Sequence, residues 1–327
     1  MYKSIFTDRS KGWKGQFMAV ADYIKKTDPK KIGLNYSEHW QFSDGLTVGL
    51  MAELKKALDP KYVSRFVSAE YLCVGWLETR SPEQISLYRH IIGIGHDVIN
   101  EFFSNRVITP GITTTDDVEW WIRDQYRKLG LDSWFQPGIS IRRSPQDTDQ
   151  YGKDDKVIRR GDLVHCDVGF KYIGLCTDQQ HNAYVLRLGE SDAPSGLKEL
   201  LKRGNRLQEI FINEFKEGRT GNDVYLTALK KARAEGLEPK IYTHPIGVHG
   251  HAAGTTLGMT EAQEGVPVEG DYPLHANTCY SIELSIAHSI PEWGNAKVTM
   301  GLEEEAVLTR DGAKWIDGYP TAFYLIH

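Results

Sequence analysis

The sequence predicts an α+β domain that is internally duplicated and preceded by a small α/β region. The segment GITTTDDV at residues 111–118 is similar to GRTGNDV at residues 218–224, and each opens a helix that ends after the same distance, at Gly130 and Gly236. In each copy two helices are followed by strands, which is the order that an internal repeat produces. Chance similarity between two capped helices is the alternative explanation.

Capping and turn signals set the predicted elements. SPEQ at residues 81–84 is a capping box with proline at the first helical position, and Thr114 or Thr115 begins the next helix. Residues 142–160 are polar and charged, and we expect a surface loop there. In chain order, the predicted elements are a helix at residues 15–26, a strand at 31–35, helices at 47–58, 81–105 and 114–130, strands at 134–141, 162–170 and 176–186, helices at 196–216 and 218–236, and strands at 240–246, 278–286 and 298–309.

Composition narrows the functional classes. Of the 327 residues, 40% are hydrophobic and 25% are charged, an ordinary globular balance, and the net charge of -5 gives no basic surface for nucleic acid. No apolar run is long enough to span a membrane. The four cysteines show no CxxC spacing and residues 1–15 contain no hydrophobic signal segment, so we expect free thiols and a cytoplasmic protein.

Two aspartates lie near the centres of apolar predicted strands. Asp167 belongs to residues 162–170 and Asp178 to residues 176–186, where an unpaired carboxylate would be costly to bury. If the strands pair as a hairpin, the two carboxylates lie side by side and can bridge one or two divalent cations. Bonds to backbone amides or to an arginine would satisfy a buried aspartate equally well, and this alternative stays open.

The second copy supplies matching acidic residues. Glu283 lies inside the predicted strand at residues 278–286, and Glu303 lies near the start of the strand at 298–309. The duplication therefore predicts that Glu283 is equivalent to Asp167, and Glu303 to Asp178.

A histidine-rich segment completes the candidate site. His244, His249 and His251 fall within eight residues of glycine-rich sequence. Glycine permits close backbone approach, and His244 ends a predicted strand, where a metal ligand is held rigidly.

These side chains have the chemistry of a hydrolytic metal site. Four carboxylates and one imidazole suit two divalent ions such as manganese, cobalt, iron or zinc, and four negative charges balance two dications. Two neighbouring ions can share a water as a bridging hydroxide and can polarise a carbonyl, which is the apparatus for hydrolysing an amide.

The ordered motifs resemble those of the pita-bread metallopeptidases, the family of methionine aminopeptidase, aminopeptidase P, prolidase and the metal-free creatinase. The motifs are Asp167 eleven residues before Asp178, His244-x-Ile-Gly with His251 seven residues on, Ile282-Glu283, and Glu303 before VLTRDG. The resemblance covers residues 75–327. It implies a curved, mainly antiparallel sheet and two divalent ions, with manganese favoured, held by Asp167, Asp178, His244, Glu283 and Glu303.

The same resemblance implies the catalytic roles. Glu283 matches the general base of the family, and His251 matches the histidine that contacts the substrate carbonyl. The implied reaction is hydrolysis of an N-terminal peptide bond by a hydroxide that bridges the two metal ions.

The N-terminal region favours the proline-specific branch. IGLN at residues 32–35, DGL at residues 44–46 and WLETRSPE at residues 76–83 resemble the end of the extra domain and the linker of aminopeptidase P, prolidase and creatinase. We therefore expect residues 1–75 to be a small or truncated creatinase-like region, and residues 76–327 to be the catalytic domain. The implied substrate is a peptide with proline at its second position, and the implied assembly is a homodimer.

The chain departs from the family pattern at several positions. Gln180 and His181 replace the threonine and arginine that commonly follow the second aspartate, and Lys240 stands where many proline-specific members have a histidine. No histidine occurs between Leu131 and Val164, and His165 is the candidate substitute because it shares a strand face with Asp167.

Two alternatives remain. One is a non-catalytic module of the same fold that binds peptides or proteins. The other is a creatinase-like hydrolase that acts on a small amide without metal. Both predict loss of metal ligands, whereas all five are present in this chain.

Overall fold

The computed structural model describes residues 4–6 and 9–327, and the chain separates into two compact units, Met1–Trp76 and Leu77–His327. Residues 1–3 and 7–8 lie outside the described residues. They belong to the predicted N-terminal region, residues 1–75, and to residues 1–15, where no hydrophobic signal segment is expected. Unit 1 has a small apolar cluster of its own, formed by Ala21, Ile24, Leu58 and Tyr62. Its elements are α1 (Gly12–Thr27), β1 (Ile32–Leu34), α2 (Val48–Ala57), α3 (Pro60–Val63), β2 (Phe66–Ser68), parallel to β1, and the start of α4 (Glu70–Glu78).

Unit 2 contains the two predicted copies. The elements of the first copy are α5 (Pro82–Phe102), α6 (Thr115–Leu129), β3 (Gly138–Arg142), α7 (Pro145–Tyr151), β4 (Leu163–Val168), β5 (Lys171–Tyr172), β6 (Leu175–Cys176) and β7 (Gln179–Val185). The elements of the second are α8 (Ser195–Ile212), α9 (Gly221–Ala234), β8 (Glu238–Ile241), β9 (His244–Ile246), β10 (Cys279–Ser281), β11 (Leu284–Ile290), β12 (Ala296–Leu302), β13 (Glu305–Thr309), β14 (Gly312–Trp315) and β15 (Tyr324–Ile326).

The sheet topology confirms the duplicated α+β domain. In the first copy, β4 lies between β3 and β7, antiparallel to both. In the second copy, β11 lies between β8 and β12, and β10 lies between β9 and β13, again with antiparallel pairing. The strands of the second copy are therefore divided between two small sheets. An isolated bridge between Gln180 and Glu303 joins the two copies.

Local signals explain the helices of unit 2. Ser81 Oγ accepts a hydrogen bond from the backbone N–H of Gln84, and Gln84 Oε1 accepts one from the backbone N–H of Ser81, so the predicted capping box is present. Thr114 forms the same kind of box with Asp117, and Gly130 ends α6 in the left-handed conformation that glycine adopts without strain. Each helix pair buries its apolar face against strands, and these contacts form two large apolar clusters.

Three predicted strands are interrupted at an acidic residue. The strand at 176–186 breaks at Asp178, between β6 and β7; the strand at 278–286 breaks at Glu283, between β10 and β11; and the strand at 298–309 breaks at Glu303, between β12 and β13. At a break the backbone leaves one ladder and enters another, so the residue there is free to face the space between sheets.

Two local predictions were wrong. The strand expected at residues 134–141 is shortened to β3, and the loop expected at residues 142–160 contains α7. Ser144 caps α7 by accepting from the backbone of Asp147, and Pro145 occupies the first helical position. Within residues 4–6 and 9–327, no helix is both long and apolar enough to cross a bilayer.

Candidate metal centre

The five side chains proposed as metal ligands from the sequence come together in unit 2. One atom of each lies within 4.8 Å of its partners in overlapping groups: Asp167 with Asp178 and Glu303, His244 with Glu283 and Glu303, and Asp178 with His244 and His251. Asp167 lies on β4 and His244 begins β9, whereas the other three carboxylates lie at the strand breaks. Both copies of the duplicated domain therefore contribute to one centre.

His244 presents one ring nitrogen to the carboxylates. Its Nδ1 lies 3.0 Å from the carbonyl oxygen of Pro245, to which it donates in the neutral ring, and this leaves the lone pair on Nε2. That Nε2 lies 3.6 Å from Asp178 Oδ2 and 3.6 Å from Glu303 Oε1. Backbone contacts of this kind fix the tautomer of metal-binding histidines in proteins.

The four carboxylates lie beside one another, with Asp178 and Glu303 buried and Asp167 and Glu283 partly buried, which makes their ionised forms unfavourable. Burial, reinforced by the charges of Glu303 and Glu283, raises the pKa of Asp167 to about 8. Burial also raises the pKa of Glu283 to about 8, with the charge of Glu303 adding to the effect. The pKa values of Asp178 and Glu303 are raised too, mainly by burial.

His244 is the basic group among these acids. Burial alone would lower its pKa, but the neighbouring carboxylates of Asp178 and Glu303 raise it well above its ordinary value. One imidazolium offsets at most one of the four carboxylate charges.

The donor set fits divalent cations. Nε2 of His244 and Oδ1 of Asp178 are buried and have no hydrogen-bond partner in the structure. A buried polar atom without a partner costs free energy, which a bound cation would offset. Oxygen ligands with one imidazole suit manganese, iron, cobalt or zinc, and two such ions would neutralise four carboxylates.

Gln180, one of the departures from the family pattern, orients two of these acids. Its Nε2 donates to Glu283 Oε1 at 2.6 Å and to Glu303 Oε2 at 2.7 Å. His165 Nε2 lies 2.9 Å from Gln180 Oε1, and burial lowers the pKa of His165 to about 4, so a neutral ring donates this bond. His165 thus donates a hydrogen bond that orients the Gln180 side chain. It lies outside the groups of possible metal ligands.

Sequence reasoning did not single out two further contacts. Ser281 Oγ donates to Glu303 Oε1 at 2.7 Å, and the backbone N–H of Asp178 donates to Glu305 Oε1 at 2.8 Å. Ser281 and Glu305 each lie two residues from a candidate ligand, so the alternation of side chains along a strand was the available signal.

His251 lies beside the centre with an aromatic side chain against it. Its ring centroid is 4.5 Å from that of His244 and 5.4 Å from that of Trp134, whose Nε1 donates to the carbonyl of Thr177 at 2.8 Å. Burial, with the charge of His244, lowers the pKa of His251 to about 4. A Cβ at Gly250 would lie 2.2 Å from the Trp134 ring, so glycine permits this packing.

The third histidine of the segment, His249, does not join any of the groups of possible metal ligands among the described residues. Burial lowers its pKa.

The model of metallopeptidase family M24 matches residues 86–310, the part of the chain that contains all of these side chains. The chain belongs to metallopeptidase family M24. This confirms the family predicted from the motifs, and it makes the protein a member of a metal-dependent peptidase family.

Known relatives cover most of the chain. "Uncharacterized peptidase YqhT" of Bacillus subtilis (strain 168) is 25% identical over 313 residues, which are 94% of this chain and 78% of the relative. The solved X-Pro aminopeptidase of Thermotoga maritima MSB8 superposes with a TM-score of 0.66 at 19% identity, covering 94% of this chain and 79% of that one. The Xaa-Pro dipeptidase of Bacillus anthracis gives 0.61 at 18% identity, covering 95% and 79%. The two structural likenesses show the pita-bread fold.

The raised carboxylate pKa values predict how pH acts on the metal-free protein. Asp167 and Glu283 have pKa values near 8, above their ordinary range, so they contribute stability below pH about 4 that is lost as pH rises through about 8. We expect the melting temperature of chelator-treated protein to fall over this interval and to fall less with manganese, because the cations replace the protons. Differential scanning fluorimetry at a series of pH values measures both curves. Parallel curves with and without manganese would contradict the assignment.

Proposed function

We propose that this protein hydrolyses the first peptide bond of peptides with proline at the second position, using two divalent ions held by Asp167, Asp178, His244, Glu283 and Glu303. The observation that carries the proposal is the grouping of four carboxylates, two buried and two partly buried, with His244, whose Nε2 has no hydrogen-bond partner. Manganese is the proposed metal, with zinc, cobalt or iron as alternatives. When bound, such ions supply a water of lowered pKa and polarise the scissile carbonyl.

Glu283 is the proposed general base. It lies at the β10–β11 break, and Gln180 Nε2 holds its Oε1 at 2.6 Å. The backbone N–H of Tyr242 and the hydroxyl of Thr243 both donate to the Glu283 carbonyl, so the main chain at the break is also fixed. A carboxylate held in this way can accept the proton of the attacking water and pass it to the leaving amine.

His251 is the proposed donor to the substrate carbonyl. With a pKa of about 4, its ring is neutral at neutral pH and carries one N–H. A neutral donor can stabilise the oxyanion that develops during attack without adding a further charge to the centre. Packing against Trp134 limits the orientations of the ring.

Proline specificity is supported by two observations. Solved structures with this fold include an X-Pro aminopeptidase and an Xaa-Pro dipeptidase. The motifs between residues 32 and 83 resemble the N-terminal region and linker of the proline-specific members. The proposal covers both an aminopeptidase and a dipeptidase.

The remaining expectations stay predictions. They are a creatinase-like region at residues 1–75, a catalytic domain at residues 76–327, a homodimer, no nucleic-acid or membrane partner, and a cytoplasmic location. The last is supported by the four cysteines, all within the described residues, which are free thiols.

Gln180 favours one alternative, the non-catalytic binding module. Its amide donates to two of the proposed ligands, Glu283 and Glu303, and so takes one acceptor position on each. An ionised carboxylate has about four acceptor positions, so both residues retain positions for a cation. The hydrolytic proposal is therefore compatible with Gln180.

A peptide panel tests the substrate. We expect the manganese-loaded protein to cleave Xaa-Pro dipeptides or Xaa-Pro-Xaa tripeptides faster than peptides with alanine at the second position, measured by release of the first residue. Equal or faster cleavage of the alanine series would remove proline specificity but retain the peptidase. Bound manganese with no cleavage of any peptide would support the binding module.

Glu283→Gln tests the general base. The amide keeps the shape of the side chain but cannot accept a proton, so we expect hydrolysis to fall roughly 10²–10⁴-fold with the fold and at least one metal ion retained. Circular dichroism, metal analysis and peptide turnover measure the three properties. Glu261→Gln, at an exposed position, is the control. Unchanged turnover in Glu283→Gln would exclude this role.

His251→Ala tests the oxyanion donor. We expect kcat to fall by about 10²-fold or more, with the metal content unchanged, because only the contact to the substrate carbonyl is lost. His90→Ala, at an exposed position of α5, controls for the loss of a histidine. Loss of metal in His251→Ala would instead identify His251 as a ligand.

A further inference from the structure

Unit 2 contains a second group of side chains of the types that bind metals. It lies outside the centre formed by Asp167, Asp178, His244, Glu283 and Glu303, which is called the five-residue centre below. It consists of His96 on α5, His181 on β7 and Glu304 between β12 and β13. One ligand atom of each lies within 4.8 Å of the other two. His181 and Glu304 are buried, whereas the side chain of His96 is 22% exposed.

His96 has a carboxylate at each of its two ring nitrogens. Its Nε2 lies 3.1 Å from both carboxylate oxygens of Glu304, and its Nδ1 lies 3.1 Å from Asp317 Oδ2. Ionised carboxylates only accept hydrogen bonds, and a neutral imidazole carries a single N–H, so it can donate to one of them but not to both. Either a second proton on His96 or a metal ion between His96 and Glu304 completes the arrangement.

His181 contacts the same carboxylate as His96. Its Nε2 approaches Oε1 of the same Glu304 at 2.5 Å, and its Nδ1 lies 3.1 Å from the hydroxyl of Tyr324. With a second proton on His96, a neutral His181 can donate to Glu304 through Nε2 and accept from Tyr324 through Nδ1, so this hydrogen-bonded arrangement is the alternative to a metal ion. A metal ion would use all three converging atoms.

The outer contacts of the two rings resemble those of metal-binding histidines. Each ring faces Glu304 through Nε2 and uses Nδ1 for a second polar group, Asp317 for His96 and Tyr324 for His181. Metal-binding histidines commonly donate their other N–H to a carboxylate or another oxygen, which fixes the ring. Arg89 Nε in turn donates to Asp317 Oδ1 at 3.0 Å.

The distances suit a small tetrahedral ion. Zinc binds imidazole nitrogen and carboxylate oxygen at about 2.0 Å, so two ligand atoms on a tetrahedral zinc are separated by ~3.3 Å. The 3.1 Å separations between His96 and Glu304 match this value, and the 2.5 Å contact between His181 and Glu304 would lengthen by about 0.8 Å.

We propose that His96, His181 and Glu304 form a separate zinc site, with one coordination position left for water. The site would join α5 and β7 to the segment between β12 and β13. Glu304 adjoins Glu303, and His181 follows Asp178 by three residues, so bound zinc would hold two strand breaks of the five-residue centre in place. Its expected role is to stabilise the fold.

The test compares zinc content in two backgrounds. One is the wild-type protein and the other is the double variant Asp178→Asn, His244→Ala, which disables the five-residue centre. In both, after zinc loading and desalting, His96→Gln should bind one equivalent less by elemental analysis. His90→Gln, on the same helix but exposed, should bind the same amount as its parent.

A second variant and a spectrum keep the test independent of folding effects. Asp317→Asn retains all three ligands and should weaken zinc binding by about 10–100-fold, because only the outer contact of His96 is altered. X-ray absorption at the zinc edge of the double variant should show imidazole nitrogen at about 2.0 Å.

Equal zinc content in His96→Gln and its parent, in both backgrounds, would overturn the proposal and leave a protonated His96 as the cation. The result is separate from the proposed peptidase. If the five-residue centre binds no metal, the double variant loses no zinc relative to wild type, while His96→Gln still loses one equivalent.

Discussion

The burial of several negative charges side by side is the constraint on which this structure depends. Glu303, Glu304 and Glu305 are consecutive and each is about 1% exposed, where an ionised carboxylate without a partner would strongly destabilise the fold. Each of the three is accommodated differently. The position of the segment at residues 303–305 therefore depends on the contacts that these three side chains make.

The three glutamates have different partners and different charge states. Glu303 joins the centre with His244 and accepts from Ser281. Burial would raise the pKa of Glu304, but contacts with His181 and His96 lower it, so this residue stays charged. Burial, with the charge of Glu304, raises the pKa of Glu305 well above its ordinary value, which favours the neutral acid.

Each copy of the domain supplies two of the four carboxylates of the candidate metal centre, and Asp178, Glu283 and Glu303 lie at strand breaks. The antiparallel strands of both copies could be predicted, because apolar alternation and turn signals are local. The choice of Asp167 and Asp178 as candidate ligands also followed from the sequence, since a carboxylate within an apolar strand requires a partner. The breaks themselves could not be predicted, because a broken and a continuous strand have the same alternation. They depend on which sheet each half joins.

Two features were not predicted from the sequence. The contact between His96 and Glu304 joins residues far apart in the chain, and helix α7 lies in a segment whose polar composition favoured a loop. His96 contacts Glu304 across 208 residues, and nothing near His96 in the sequence indicates this partner. Ser144-Pro145 did carry a helix-start signal for α7, but the polar residues around it favoured a loop. Gln180 and His181 were visible as departures from the family, yet their roles required the partners that the fold brings to them.

The central claim is that both halves of the duplicated domain hold one pair of cations. Anomalous diffraction at the manganese edge, from crystals grown with manganese, tests it most directly. The account predicts two neighbouring peaks among Asp167, Asp178, His244, Glu283 and Glu303. Fully occupied manganese elsewhere in the protein, with no peak among these five side chains, would contradict it.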